Sequence, residues 1–91
     1  MGVMMQLQLV ERPPATSIRK RRNLMVFGSK EVAYAWAEGH VPRKVPGAIG
    51  FNPPSAVRDI EAGGYILRYG VQMGGWVRYM VLGKGGHLLA R

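Results

Sequence analysis

The residues best placed to do chemistry are cationic. Arg19, Lys20, Arg21 and Arg22 stand consecutively, and Arg43 with Lys44 forms a second pair. Guanidinium and ammonium groups at that density recognise phosphates or carboxylates, the guanidinium through a planar fork of donors that matches either anion. Arg12 adds to the first cluster, and Arg68 and Tyr79 are expected to support the contact from further along the chain. Tyr34 and Tyr79 are the aromatic candidates for stacking on a base, whereas Phe27, Trp36 and Trp76 are expected in the core. Thirteen Lys and Arg against five Asp and Glu leave a net charge of +8. A field of that sign on a small domain draws in polyanions, of which nucleic acid is the commonest.

Other chemistries are thinly furnished. Nucleophilic catalysis needs a nucleophile, a base and an orienting group. The sequence offers Ser17, Ser29 and Ser55, His40 and His87, and a single aspartate, Asp59, with no spacing that links them. No catalytic residue is assigned, and the chain reads as non-enzymatic. Cysteine is absent, so thiolate sites and disulfides are excluded. Two isolated histidines without clustered carboxylates predict no metal, and no cofactor is expected. The run LGKGGH (82 to 87) is similar to a phosphate loop, but it lacks the four-residue spacing between glycines and the hydroxyl residue after the lysine. A Gly-rich turn explains it, with Lys84 and the turn amides left able to touch a phosphate.

The elements that must position these residues follow from the hydrophobic pattern. With 91 residues, 47% of them hydrophobic, the chain suits one small domain that buries roughly 60 to 65% of its unfolded surface, and a homodimer is possible. Residues 4 to 11 alternate Met5, Leu7 and Leu9 with Gln6 and Gln8, predicting a strand, and residues 12 to 17 form a proline loop. The basic segment, 18 to 23, then enters a buried strand, NLMVF, closed by Gly28. Extended geometry would send Arg19 and Arg21 to one face and Lys20 and Arg22 to the other.

SKEVAYAWAEG (29 to 39) predicts a helix, with Ser29 as N-cap, Glu31 in the first turn and Gly39 as a left-handed C-cap. Val32 and Trp36 then face the core, leaving Lys30 and Tyr34 nearer solvent. Residues 40 to 54 carry four prolines and two glycines, the pattern of a loop. Residues 55 to 64 predict a second short helix, started by Asn52 and Pro53, anchored by Val57 and Ile60 and ended by Gly63. Residues 65 to 82 predict a hairpin around QMGG. With a two- or four-residue loop, Tyr65, Leu67, Tyr69 and Val71 share a core face with Trp76, Arg78, Met80 and Leu82. Ile66, Arg68, Gly70 and Gln72 occupy the other face with Val77, Tyr79 and Val81. HLLA (87 to 90) closes the chain as a short strand after the second turn. The fold class expected is α+β, a small single domain with a mainly antiparallel sheet of four to five strands and one or two short helices.

Ser29, Glu31, Val32, Ala33, Trp36 and Ala37, followed by the Tyr69-Gly70 step, resemble a pattern in small uncharacterised proteins of phages and plasmids. The match covers about half the chain. It implies a mobile-element origin and carries no activity or site with it. No apolar run approaches the roughly 18 residues needed to span a bilayer, and the N-terminal segment lacks a basic region ahead of its apolar part, so a mature cytoplasmic protein is expected. Two functions follow as expectations. One is a non-enzymatic binder of DNA, RNA or a nucleoprotein surface. The other is an inhibitor or adaptor, resembling anti-CRISPR proteins in strategy, that binds a host defence or transcription complex.

Overall fold

The computed structural model describes residues 14 to 41, 45 and 47 to 90. The predicted strand at 4 to 11, Arg12, Arg43 and Lys44 lie outside the described residues, as does part of the proline loop. Among the described residues one antiparallel sheet of seven strands is joined by a single helix. In chain order these are β1 (Ile18–Arg21), β2 (Leu24–Phe27), α1 (Lys30–Gly39), β3 (Gly50–Phe51), β4 (Ser55–Asp59), β5 (Gly64–Gln72), β6 (Val77–Leu82) and β7 (Leu88–Ala90). The α+β expectation holds, with one helix and with more strands than the four to five expected. No helix among the described residues is long and apolar enough to cross a membrane.

Strand β5 is the common partner. Its lower half pairs with β4, from Asp59 opposite Gly64 to Ser55 opposite Arg68, and its upper end pairs with β3. On the other edge it meets β6, from Arg68 opposite Val81 to Gln72 opposite Val77, and touches β2 where Phe27 faces Tyr65. A bridge between Leu24 and Gly83 draws β2 against the end of β6. Strands β1 and β7 form the margins.

Two departures from expectation have local causes. The basic segment is a strand in its own right, not a leader to the next one: β1 folds back on β2 through Arg22 and Asn23, with Arg22 at φ 54°, a left-handed conformation uncommon for a side-chain-bearing residue. Residues 55 to 64 are strand and turn instead of helix. An isolated helix as short as the one predicted at 55 to 64 is marginal in water, while the open edge of β5 supplies a complete ladder of partners. Gly63, which suggested the end of a helix, belongs to the turn at 60 to 63. The Asp59 carboxylate accepts from the Ala62 amide at 3.0 Å, the Gly63 amide donates to the Asp59 carbonyl, and Gly63 has φ +75°. Val57 and Ile60, expected to anchor a helix, are therefore exposed.

The helix at 30 to 39 forms as predicted, with the Ser29 hydroxyl accepting from the Val32 amide. Its end differs. Gly39 is not left-handed, and His40 closes the helix instead: its Nδ1–H donates to the Trp36 carbonyl at 2.9 Å and its ring stacks on the indole. Val32, Ala33, Trp36 and Ala37 pack on Met25, Phe27, Leu67, Tyr69 and Met80, covering one face of the sheet. The hairpin register also agrees with the expected division of faces, but Trp76 falls in the four-residue loop and is 55% exposed. Gly74 and Gly75, both at positive φ, complete the reversal so that pairing begins only at Val77. Arg78 is likewise exposed, at the margin of the helix-covered face.

Gly64 marks a close approach of β5 to the β2 backbone. A Cβ there would lie 2.7 Å from both the Phe27 carbonyl oxygen and a Val26 methyl. Alanine at Gly39 would meet nothing within 4 Å. In denaturant unfolding, Gly64→Ala is expected to cost about 2 kcal/mol, whereas Gly39→Ala should be neutral or stabilise by about 0.5 kcal/mol.

Tyr69 is 4% exposed, and its hydroxyl has no hydrogen-bond partner among the described residues. It lines a largely apolar cleft of about 330 Å³ with Ala37, Val41, Phe51, Asn52, Pro53 and Pro54. Burial raises its pKa above 10.0, because desolvation penalises the phenolate. The native state thus favours the neutral form, and this contribution to stability is full below the unfolded pKa and falls as pH rises through and beyond 10.0. Tyr69→Phe should flatten that alkaline loss in a stability-against-pH series, with little penalty at neutral pH.

Candidate nucleic-acid interface

The alternation of β1 divides the basic cluster. Arg19 lies opposite Val26 and Arg21 opposite Leu24, which places both on the sheet face away from α1. Lys20 lies opposite Met25, a core residue of the helix-covered face. Arg22 leaves the strand at the turn, where its guanidinium is 3.7 Å from Glu61. Both side chains of that pair are about four-fifths exposed, so water screens the attraction.

Arg19 and Arg21 hold the turn that follows β4. The Arg19 Nη2 donates to the carbonyls of Ala62 (3.2 Å) and Gly63 (2.8 Å), and Arg21 Nη1 donates to Ala62 at 3.4 Å. A carbonyl satisfies a donor without cancelling its charge, so the positive field of both groups persists at the surface. Their side chains have a packing role as well as a charge, a role that spacing alone does not reveal.

Between β1 and the hairpin the same face carries an apolar floor. Val26, Ala62, Ile66 and Val81 form a buried cluster with Leu24 and Leu89 at its margin. Beyond it, Arg68 lies over the Tyr79 ring, 4.1 Å from guanidinium carbon to ring centroid, within the range of a cation–π contact. Gly70 stands opposite Tyr79 and offers no side chain, and the ring instead meets its diagonal neighbour Arg68. Val57, Arg58, Asp59, Ile66, Arg68, Tyr79 and Val81 line a recess of about 250 Å³.

The arrangement brings Arg19, Arg21, Arg68 and Tyr79 onto one face and separates Lys20 from them. Ile66 and Val81, which floor the recess, carried a detectable signal: the second face of the hairpin pattern is apolar at Ile66, Val77 and Val81 as well as on the first. Ala62 carried none, because its segment read as helix.

The chain matches no protein-family model, no curated protein and no solved structure. The chemistry of the face is therefore its own guide. Other candidates are accounted for locally. The Tyr34 hydroxyl, 3.0 Å from the Ala56 amide, accepts its hydrogen bond and ties the outer edge of β4 to the helix. In the Gly-rich turn, Lys84 N–H donates to Asn23, Gly83 N–H to His87 and Gly86 N–H to Gly83, so these amides already have acceptors and do not form an open anion cradle. Among the described residues no three His, Asp or Glu side chains gather as a metal set.

Replacing Arg19 by Gln removes a charge-assisted pair of hydrogen bonds and is expected to destabilise by about 1.5 kcal/mol. Arg22→Gln should leave the unfolding midpoint unchanged. Chemical denaturation of the two variants side by side checks the contrast.

Proposed function

We propose that this protein is a non-enzymatic nucleic-acid binder that uses the sheet face opposite α1. The observation that carries the reading is the composition of that face: Arg19, Arg21 and Arg68 surround a small, buried apolar cluster on the side of the sheet away from α1. The net charge of +8 supports it at long range. Phosphate contacts of this kind position a polyanion without reading its sequence. Arg43 and Lys44, outside the described residues, are retained as contributors on charge alone.

Three to four phosphate contacts predict that affinity falls by about 20- to 50-fold for a single strand and about 40- to 150-fold for a duplex between roughly 50 and 200 mM salt. A double charge reversal on the open face, Arg21→Glu with Arg68→Glu, should weaken binding at least tenfold more than Lys20→Glu with Arg78→Glu, which changes the net charge equally on the helix-covered face. Fluorescence anisotropy with labelled DNA and RNA measures both. Equal losses would mean a non-directional field. Absence of binding at low salt, together with a nuclease-resistant protein partner, would replace the proposal with the inhibitor or adaptor reading.

A further inference from the structure

The recess beside Arg68 and Tyr79 deepens the proposed function, on which it rests, by specifying the form of the ligand. We infer that it receives an unpaired base, so that the preferred partner is single-stranded nucleic acid.

Four features converge on this. The Tyr79 ring is half exposed on an open sheet face, where a flat ligand can reach it. The Arg68 guanidinium, itself planar, lies over that ring with its carbon 4.1 Å from the centroid and adds a second flat surface. The opposite boundary is aliphatic: Val57, Ile66 and Val81 supply a wall for a flat apolar surface. Arg58 and Asp59, of opposite charge, complete the lining, so that edge of the recess adds no net charge. The site therefore takes the uncharged, planar part of a nucleotide, while the Arg19 and Arg21 side, across the Val26–Ile66–Val81 floor, takes the backbone.

A duplex cannot use such a site without unstacking, because its base faces are covered by their neighbours. A single strand presents them freely, and stacking on an aromatic side chain is tolerant of sequence because every base has a π-face. The combination of a cationic margin, an aromatic–guanidinium platform and an apolar recess on one sheet face is thus matched to an unpaired strand better than to a helix groove.

The test compares one oligonucleotide sequence, longer than the roughly 4- to 16-nucleotide site of a single-strand-binding domain, as single-stranded DNA, single-stranded RNA, duplex DNA and an abasic strand of equal charge. The inference expects at least one single strand to bind about tenfold more tightly than both the duplex and the abasic strand. Tyr79→Ala should erase that margin and Tyr79→Phe should keep it, since the ring and not the hydroxyl does the stacking. The DNA and RNA arms identify which sugar the site accepts. Salt-dependent binding that is equal for all four ligands would overturn the base-binding inference while leaving the basic-face reading intact. Failure to bind any of them would overturn both. The abasic comparison uses the unaltered protein, so it decides the question even where Tyr79→Ala disturbs folding.

Discussion

Strand β5 is hydrogen-bonded along both edges, and nearly every other element takes its position from that fact. The lower half is claimed by β4, the upper end by β3, and the opposite edge by β6 and β2. Its two faces differ: Leu67, Tyr69 and Val71 point into the helix-covered core, while the other side carries Ile66 in the smaller cluster beside the exposed Arg68. One helix covers one face only. The geometry of β5 therefore leaves the second face with a thin apolar layer, and arginines finish its margins.

That division links stability to the proposed function. Arg19 and Arg21 are close enough to the turn at 60 to 63 to satisfy carbonyls that the turn leaves unpaired, which orders β1 against the end of β4. The same bonds hold two positive charges in fixed positions beside the apolar floor, and a fixed charge loses less conformational entropy on meeting a ligand than a free one does. Arg68 is held differently, by the Tyr79 ring. In each case the contact that positions the guanidinium leaves its charge intact.

The glycines along β5 set the shape of this face. Gly64 lets the Phe27 carbonyl come close enough for β2 to join the sheet. Gly70 makes room for the Asn52 side chain, which accepts from Gln72 and whose backbone amide donates to the Gly70 carbonyl. The Tyr69-Gly70 step thus places a large buried side chain on one face and an absence of side chain on the other, beside which Tyr79 and Arg68 come together.

What the sequence determined by itself was local. Period-two alternation in 65 to 82 specified the hairpin and sorted Arg68 and Tyr79 onto the same face. Ser29, Glu31 and the Val32–Trp36 spacing specified the helix, because caps and i, i+4 contacts act within a few residues. The split of Arg19 and Arg21 from Lys20 was also legible, since it needs only an extended backbone. The rest depended on contacts distant in the chain. Residues 55 to 64 had the ends of a helix, and only the vacant edge of β5 made them a strand. Trp76 looked like core until Gly74 and Gly75 set where pairing starts. His40, not Gly39, ended the helix because the Trp36 ring was there to stack on. Only the tertiary structure placed Arg19 against the carbonyls of Ala62 and Gly63, more than forty positions away, because side-chain periodicity records which face a residue occupies and not which distant backbone will cross beneath it.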